Sequence, residues 1–216
     1  MTKQLVLFDL DGTLIDSAAD LAAALNKMLA AYGREPLPLQ AVIGMIGNGV
    51  PTLVKRGLAA RPGDEVDHAE AVAKFDDAYA EAPMALTRVY PGVIETLDRL
   101  KAARIPMGVC TNKNEASARH ILTELGLMSF FAHLIAGDSL PFRKPDPRVL
   151  TESCARLGLN VADAWMIGDS EVDAATAEGA GMDFVLLTYG YHHGPVENIP
   201  ARLRLDRFTD LIDVLI

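Results

Sequence analysis

Apolar residues follow two rhythms along this chain. Residues 3 to 10 (KQLVLFDL) form an aliphatic and aromatic run of strand length that stops at acidic residues and glycine, as a strand buried on both faces of an α/β sheet does. From Ser17 the spacing becomes helical. Ser17-x-x-Asp20 reads as a capping box opening an Ala- and Leu-rich helix that ends near Tyr32 and Gly33. The helical pattern continues to about Met84, broken at Gly33, at 36–38, at 44–51 and at 61–64, and no strand is predicted within it. After Pro91-Gly92 the elements alternate: helix 93–103, strand 105–110, helix 114–125, strand 133–136, helix 146–157, strand 164–167, helix 171–179 and strand 183–187. The tail from 203 to 216 predicts a short edge strand and a closing helix.

This order implies an α/β fold, a doubly wound parallel sheet with helices on both faces, interrupted after its first strand by an inserted helical block. The expected division is an α/β core of residues 1–15 and 86–216 with an α-helical cap domain of residues 16–85. At about 150 residues per domain, a length of 216 accommodates one core with such an insert.

Charge narrows the function. Twenty Lys and Arg against 29 Asp and Glu give a net charge of −9, and so acidic a chain is a poor partner for nucleic acid. Cys110 and Cys154 lie in apolar or helical contexts and read as reduced thiols, which points to the cytoplasm. Asp9 and Asp11 interrupt the first apolar run too early for a signal peptide, and no 18 consecutive apolar residues occur. Export and membrane partners are therefore not expected, while the sequence leaves the oligomeric state open.

Ligands of open α/β sheets bind at the carboxyl ends of the strands, so the residues just after each predicted strand carry the chemistry. These are Asp9-Leu10-Asp11-Gly12-Thr13, Thr111-Asn112-Lys113, Arg143-Lys144-Pro145-Asp146-Pro147 and Gly168-Asp169-Ser170-Glu171-Val172-Asp173. Carboxylates converging on one sheet edge repel one another unless a cation joins them, and a few hard oxygen ligands suit Mg²⁺. A carboxylate beside such a metal, with a hydroxyl and a lysine, makes a phosphoryl site in which the carboxylate can attack phosphorus. The bland alternatives are a helix N-cap for Thr111, a solvated lysine for Lys144 and an acidic first helical turn for Asp169 and Asp173. Gly44-x-x-Gly47-x-Gly49 lacks a preceding strand and has the wrong spacing for a dinucleotide loop, and the adjacent His192 and His193 read as loop residues.

With these residues in place the sequence resembles the haloacid dehalogenase-like superfamily of phosphohydrolases. The four motifs occur in order: DLDGT at 9–13, Thr111, Lys144 in KPDP, and GDSEVD at 168–173. The resemblance implies that Asp9 is nucleophile and metal ligand, and that Asp11 is acid/base and gives its backbone carbonyl to the metal. It implies further that Thr111 and Lys144 hold the phosphoryl group, that Asp169 is the other metal carboxylate, and that Gly12 and Asn112 bind substrate. Asp173 stands second, as metal support or as the group that orients the lysine.

The finer resemblance is to bacterial phosphoglycolate phosphatases, through Ile46-Gly47-Asn48-Gly49-Val50 with Leu53-Val54-Lys55-Arg56, through Gly137-Asp138-Ser139-Leu140-Pro141 and through Tyr189-Gly190-Tyr191. His192-His193-Gly194-Pro195 departs from the usual asparagine-bearing tail. This resemblance implies 2-phosphoglycolate as substrate, with Asn48 and Arg56 (or Lys55) reading the end away from phosphorus. A pyrophosphatase, a sugar-phosphate phosphatase or a phosphomutase on the same scaffold stays open at this stage. A phospho-accepting receiver module, which clusters similar residues, is disfavoured by the helical block after the first strand.

Overall fold

The computed structural model describes residues 5–82 and 84–216. Six strands form one parallel sheet: β1 (Leu5–Phe8), β4 (Met107–Cys110), β5 (His133–Ile135), β6 (Ala164–Gly168), β7 (Asp183–Leu187) and β8 (Leu203–Leu205), in the order β5-β4-β1-β6-β7-β8. The strand expected at 3–10 is thus observed as Leu5–Phe8, and Lys3 lies outside the described residues. Side chains of β1 alternate between two cores. Val6 and Phe8 pack under α5 (Val93–Ala102) and α6 (Glu115–Glu124), and Leu5 and Leu7 under α7 (Arg148–Ala155) and α8 (Glu171–Ala180). Burial on both faces is why β1 reads as a continuous apolar run rather than an alternating one. β8 is an edge strand and α9 (Leu211–Leu215) closes the chain, as the tail predicts.

Among the described residues between β1 and α5 lie four helices, α1 (Ala18–Ala31), α2 (Leu39–Ile43), α3 (Val50–Ala60) and α4 (His68–Ala80). They enclose their own core around Leu21, Leu25, Met28, Val54 and Phe75. The chain leaves and re-enters the α/β part through a two-stranded antiparallel ribbon, β2 (Ile15–Asp16) against β3 (Arg88–Val89), which pairs Ile15 with Val89 and Asp16 with Arg88. The sequence pattern did not predict this ribbon, because two residues per strand are too short to show a period.

The capping box expected at the start of α1 does not form. Ser17 occupies the N-cap position, but its side chain makes no cap hydrogen bond. Its hydroxyl donates instead to Asp11 Oδ1 at 2.5 Å, and the Tyr191 hydroxyl accepts the Ser17 and Ala18 N–H groups at 2.8 and 3.0 Å. Asp20 is engaged by Leu86 and Thr87. Partners distant in sequence have displaced the local cap, so the first turn is held by tertiary contacts.

Candidate active site

The chain passes from β1 to β4 on one side of the sheet and from β6 to β7 on the other, so the crevice between the carboxyl ends of β1 and β6 is its switch point. Asp9 follows β1 and Asp169 follows β6, and both are buried. Carboxylate oxygens of Asp9, Asp169 and Asp173 lie within 4.8 Å of one another. Burial pushes the Asp9 carboxyl up to about 7, an effect that Lys144 opposes and Asp173 reinforces. Burial, then Asp173 and Asp9, raise Asp169 well above the usual carboxylate range.

The three carboxylates are not equivalent. Asp173 is saturated: Oδ1 accepts from Lys144 Nζ at 2.6 Å, and Oδ2 accepts from Ser170 Oγ at 2.7 Å and from the N–H groups of Ser170 and Asp169. With Ser170 it closes a capping box at the start of α8, so the contact to the lysine and the acidic helix start coexist in Asp173. Asp169 accepts Thr13 Oγ1 at 2.7 Å on one oxygen and the Tyr191 N–H at 2.6 Å on the other. Asp9 Oδ1 lies 2.8 Å from Lys144 Nζ as an ion pair, yet it receives no well-directed hydrogen bond. An under-satisfied buried carboxylate oxygen facing a second buried carboxylate is a donor set that a divalent cation would complete.

Two glycines make room for Asp169. A Cβ on Gly12, whose φ is +89°, would stand 2.2 Å from Asp169 Oδ2, and one on Gly190 would stand 2.2 Å from Asp169 Cβ. Gly12, expected among the substrate-binding residues, therefore lies against Asp169.

Lys144 is almost fully buried between Asp9 and Asp173. Burial alone would lower its affinity for the proton, but the two carboxylates outweigh this and hold it charged. Thr111 is buried at the end of β4, where its N–H donates to the Ile135 carbonyl and its hydroxyl accepts the Lys113 N–H at 3.2 Å. Asn112 donates from Nδ2 to two carbonyls, Gly47 of the helical block and Lys144 of the core, each at 3.0 Å. One amide thus ties together the two loops that face each other across the site.

Asp11 lines the same pocket as Asp9. Its carboxylate accepts from Ser17 Oγ and from Lys113 Nζ, the latter at 3.2 and 3.3 Å to its two oxygens. A pocket opens here, floored by Asp9, Asp11, Thr111, Asn112 and Lys113 and roofed by Leu21, Ile46, Val50 and Leu53 from the helical block. Neither Asn48 nor Arg56 lines it. The Arg56 guanidinium donates to the Met45 carbonyl at 2.8 Å and to Asn48 Oδ1 at 2.9 Å, bracing the 45–48 loop from behind, and Lys55 is exposed.

Sequence reasoning assigns no individual role to Lys113, Thr13 or Tyr191, although each lies in a stretch that it singles out. Lys113 stands in a stretch that the sequence flags, immediately after Thr111 and Asn112. Tyr191 lies in the Tyr189-Gly190-Tyr191 stretch, but its contact to Asp169, 22 residues away, leaves no mark on the local pattern.

The family model for haloacid dehalogenase-like hydrolases matches residues 6–187. The chain belongs to this family. A phosphoglycolate phosphatase of Cereibacter sphaeroides (strain ATCC 17025) is 46% identical over 213 residues, covering 97% of this chain and 96% of the relative. A Pseudomonas aeruginosa protein named phosphoglycolate phosphatase 1 is 43% identical over 97% of this chain and 78% of its own length. Among solved structures, a predicted phosphoglycolate phosphatase from Haemophilus somnus 129PT superposes with a TM-score of 0.94 at 32% identity, covering 99% of this chain and 98% of that one.

Proposed function

We propose that this hydrolase is a Mg²⁺-dependent phosphoric monoester hydrolase that converts 2-phosphoglycolate to glycolate and phosphate through a phosphoryl group carried transiently on Asp9. Phosphatase relatives above 40% identity over nearly the whole chain support the reaction class and make 2-phosphoglycolate the leading substrate. The observation that carries the mechanism is Asp9 itself: a buried carboxylate with an under-satisfied oxygen, beside Lys144 and at the floor of the pocket.

The carboxylates of Asp9 and Asp169, with the backbone carbonyl of Asp11, would hold Mg²⁺. When bound, the ion neutralises charge on the phosphoryl oxygens and on the carboxylates around it. Lys144, kept charged by Asp173, supplies a second positive centre for the phosphoryl oxygens, and Thr111 offers a hydroxyl donor. An oxygen of Asp9 attacks phosphorus, and the bond from phosphorus to the ester oxygen breaks. Asp11 gives its proton to the departing alkoxide. A water then attacks the same phosphorus while Asp11 takes its proton, and the bond to Asp9 breaks to release phosphate.

Residues 16–85 would act as a cap over this chemistry, with Leu21, Ile46, Val50 and Leu53 excluding bulk water from the phosphorylated Asp9. No helix among the described residues is long and apolar enough to cross a membrane, and the two free, buried cysteines support a cytoplasmic reading.

Phosphate release from 2-phosphoglycolate, pyrophosphate, several sugar phosphates and a nucleotide, each with and without Mg²⁺, tests the proposal. The expected result is a kcat/KM for 2-phosphoglycolate about tenfold or more above the others, lost on chelation. Preference for pyrophosphate or a sugar phosphate, or full activity in excess chelator, would contradict it.

A further inference from the structure

The pocket needs a positive group for more than the phosphoryl end of its substrate. An ester that also bears a carboxylate brings a second anion into a site already holding Asp9, Asp11 and Asp169. Unless a cation meets it, that second charge adds to the repulsion among the carboxylates of the site.

Two of the candidate cations are occupied or turned away. Lys144 sits between Asp9 at 2.8 Å and Asp173 at 2.6 Å. Arg56 braces the 45–48 loop through Met45 and Asn48 and does not line the pocket. Lys113 remains, the one basic residue among the described residues that line it.

We propose that Lys113 is the specificity-determining residue of this site, its ammonium pairing with the carboxylate of the substrate while the phosphoryl group engages Asp9. This rests on the reading of the site as a phosphoglycolate phosphatase. Lys113 is only 7% exposed, and its Nζ lies 5.1 Å from the ring centre of Tyr79 on α4, which places the charge on the side of the pocket that faces the helical block. Its contacts to Asp11, at 3.2 and 3.3 Å, are longer than the roughly 2.7–2.9 Å of a strong charge-assisted hydrogen bond. An ammonium has three donors, and one carboxylate at that distance with one ring face leaves it able to accept a further anion.

Burial makes the assignment selective. A lysine withdrawn from water binds an incoming carboxylate strongly, because neither charge is screened there, and gains nothing from an uncharged group in the same place. The loop opposite adds to this: Gly47 and Gly49 line the pocket, and their N–H groups have no acceptor among the described residues. A carboxylate held on Lys113 would find donors on both walls.

The test is direct binding to the Mg²⁺-loaded enzyme, by calorimetry, of phosphonoacetate and methylphosphonate, two non-hydrolysable probes that differ by one carboxylate. Wild-type protein is expected to bind phosphonoacetate about tenfold or more tightly than methylphosphonate. Lys113→Gln should bring that ratio close to one, and Lys113→Arg should restore most of it. Circular dichroism confirms that each variant is folded, and the readout does not depend on turnover. If Lys113→Gln weakens both probes equally and keeps the wild-type ratio, the lysine serves only to position Asp11 and the proposal is overturned. A wild-type ratio near one would instead sink the phosphoglycolate reading, and the assignment of Lys113 with it.

Discussion

Arg56 shows how a residue can match a family-like stretch and still serve a different purpose in the fold. Its two terminal nitrogens are held by the Met45 carbonyl and the Asn48 side chain, so its charge fixes the shape of a loop instead of facing the pocket. Arg56→Ala should therefore lower kcat/KM by a similar factor, about three- to tenfold, for carboxylated and uncarboxylated phosphate esters alike. A loss confined to carboxylated esters would return Arg56 to the role that the sequence expectation gives it. Asp169 makes the converse point. Its acidity could be anticipated from the motif, but the support it receives could not. Thr13, Tyr191 and the bare backbones of Gly12 and Gly190 converge on it from two separate segments, and neither is close to it in sequence.

Among the elements, the helices and strands of the α/β part were legible because each buries a regular apolar face. The strand at 183–187 is observed with its predicted bounds, and the helices at 93–103, 114–125 and 171–179 appear within a residue or so of theirs. The helix expected at 146–157 is shorter, Arg148–Ala155, because Pro147 serves as its N-cap and the chain turns at Leu157 and Gly158. What escaped was the stalk between the two parts, whose stability comes from side chains pairing across long sequence separations. Asp20 is the centre of it. Its buried carboxylate accepts the Leu86 N–H, the Thr87 N–H at 2.7 Å and the Thr87 hydroxyl at 2.6 Å, joining the first turn of α1 to the strand that re-enters the α/β part. Asp20→Ala leaves these donors buried and unpaired, and a loss of about 2–3 kcal/mol is expected, seen as a fall in Tm of roughly 4–10 °C. A change in Tm of less than about 1 °C would show that water replaces the carboxylate at no cost.

At the scale of the whole molecule, the site is a concentration of charge that the fold must support: four buried or half-buried acids, Asp9, Asp11, Asp169 and Asp173, against Lys113 and Lys144. Asp9 is the acid whose protonation records the strain. Burial raises its carboxyl from 3.8 in the unfolded chain to about 7 in the folded one, so across that interval the folded protein binds more protons. Its contribution to stability is fully present at pH below about 4 and is lost as pH rises through about 7. A divalent ion that takes the place of that proton should thus raise Tm clearly at pH 8 and much less at pH 5.5, and Asp9→Asn should shrink the difference. Equal stabilisation by Mg²⁺ at both pH values would mean that the ion binds elsewhere. The central claim is that Asp9 carries the phosphoryl group, and rapid quenching in acid of the Mg²⁺-loaded enzyme with 2-phosphoglycolate, followed by peptide mass spectrometry, tests it most directly. The account predicts one phosphoryl group on the peptide containing Asp9, absent in Asp9→Asn and formed more slowly in Asp11→Asn. Catalytic release of phosphate with no phosphorylated Asp9 at any quench time, or a phosphoryl group that persists in Asp9→Asn, would contradict it.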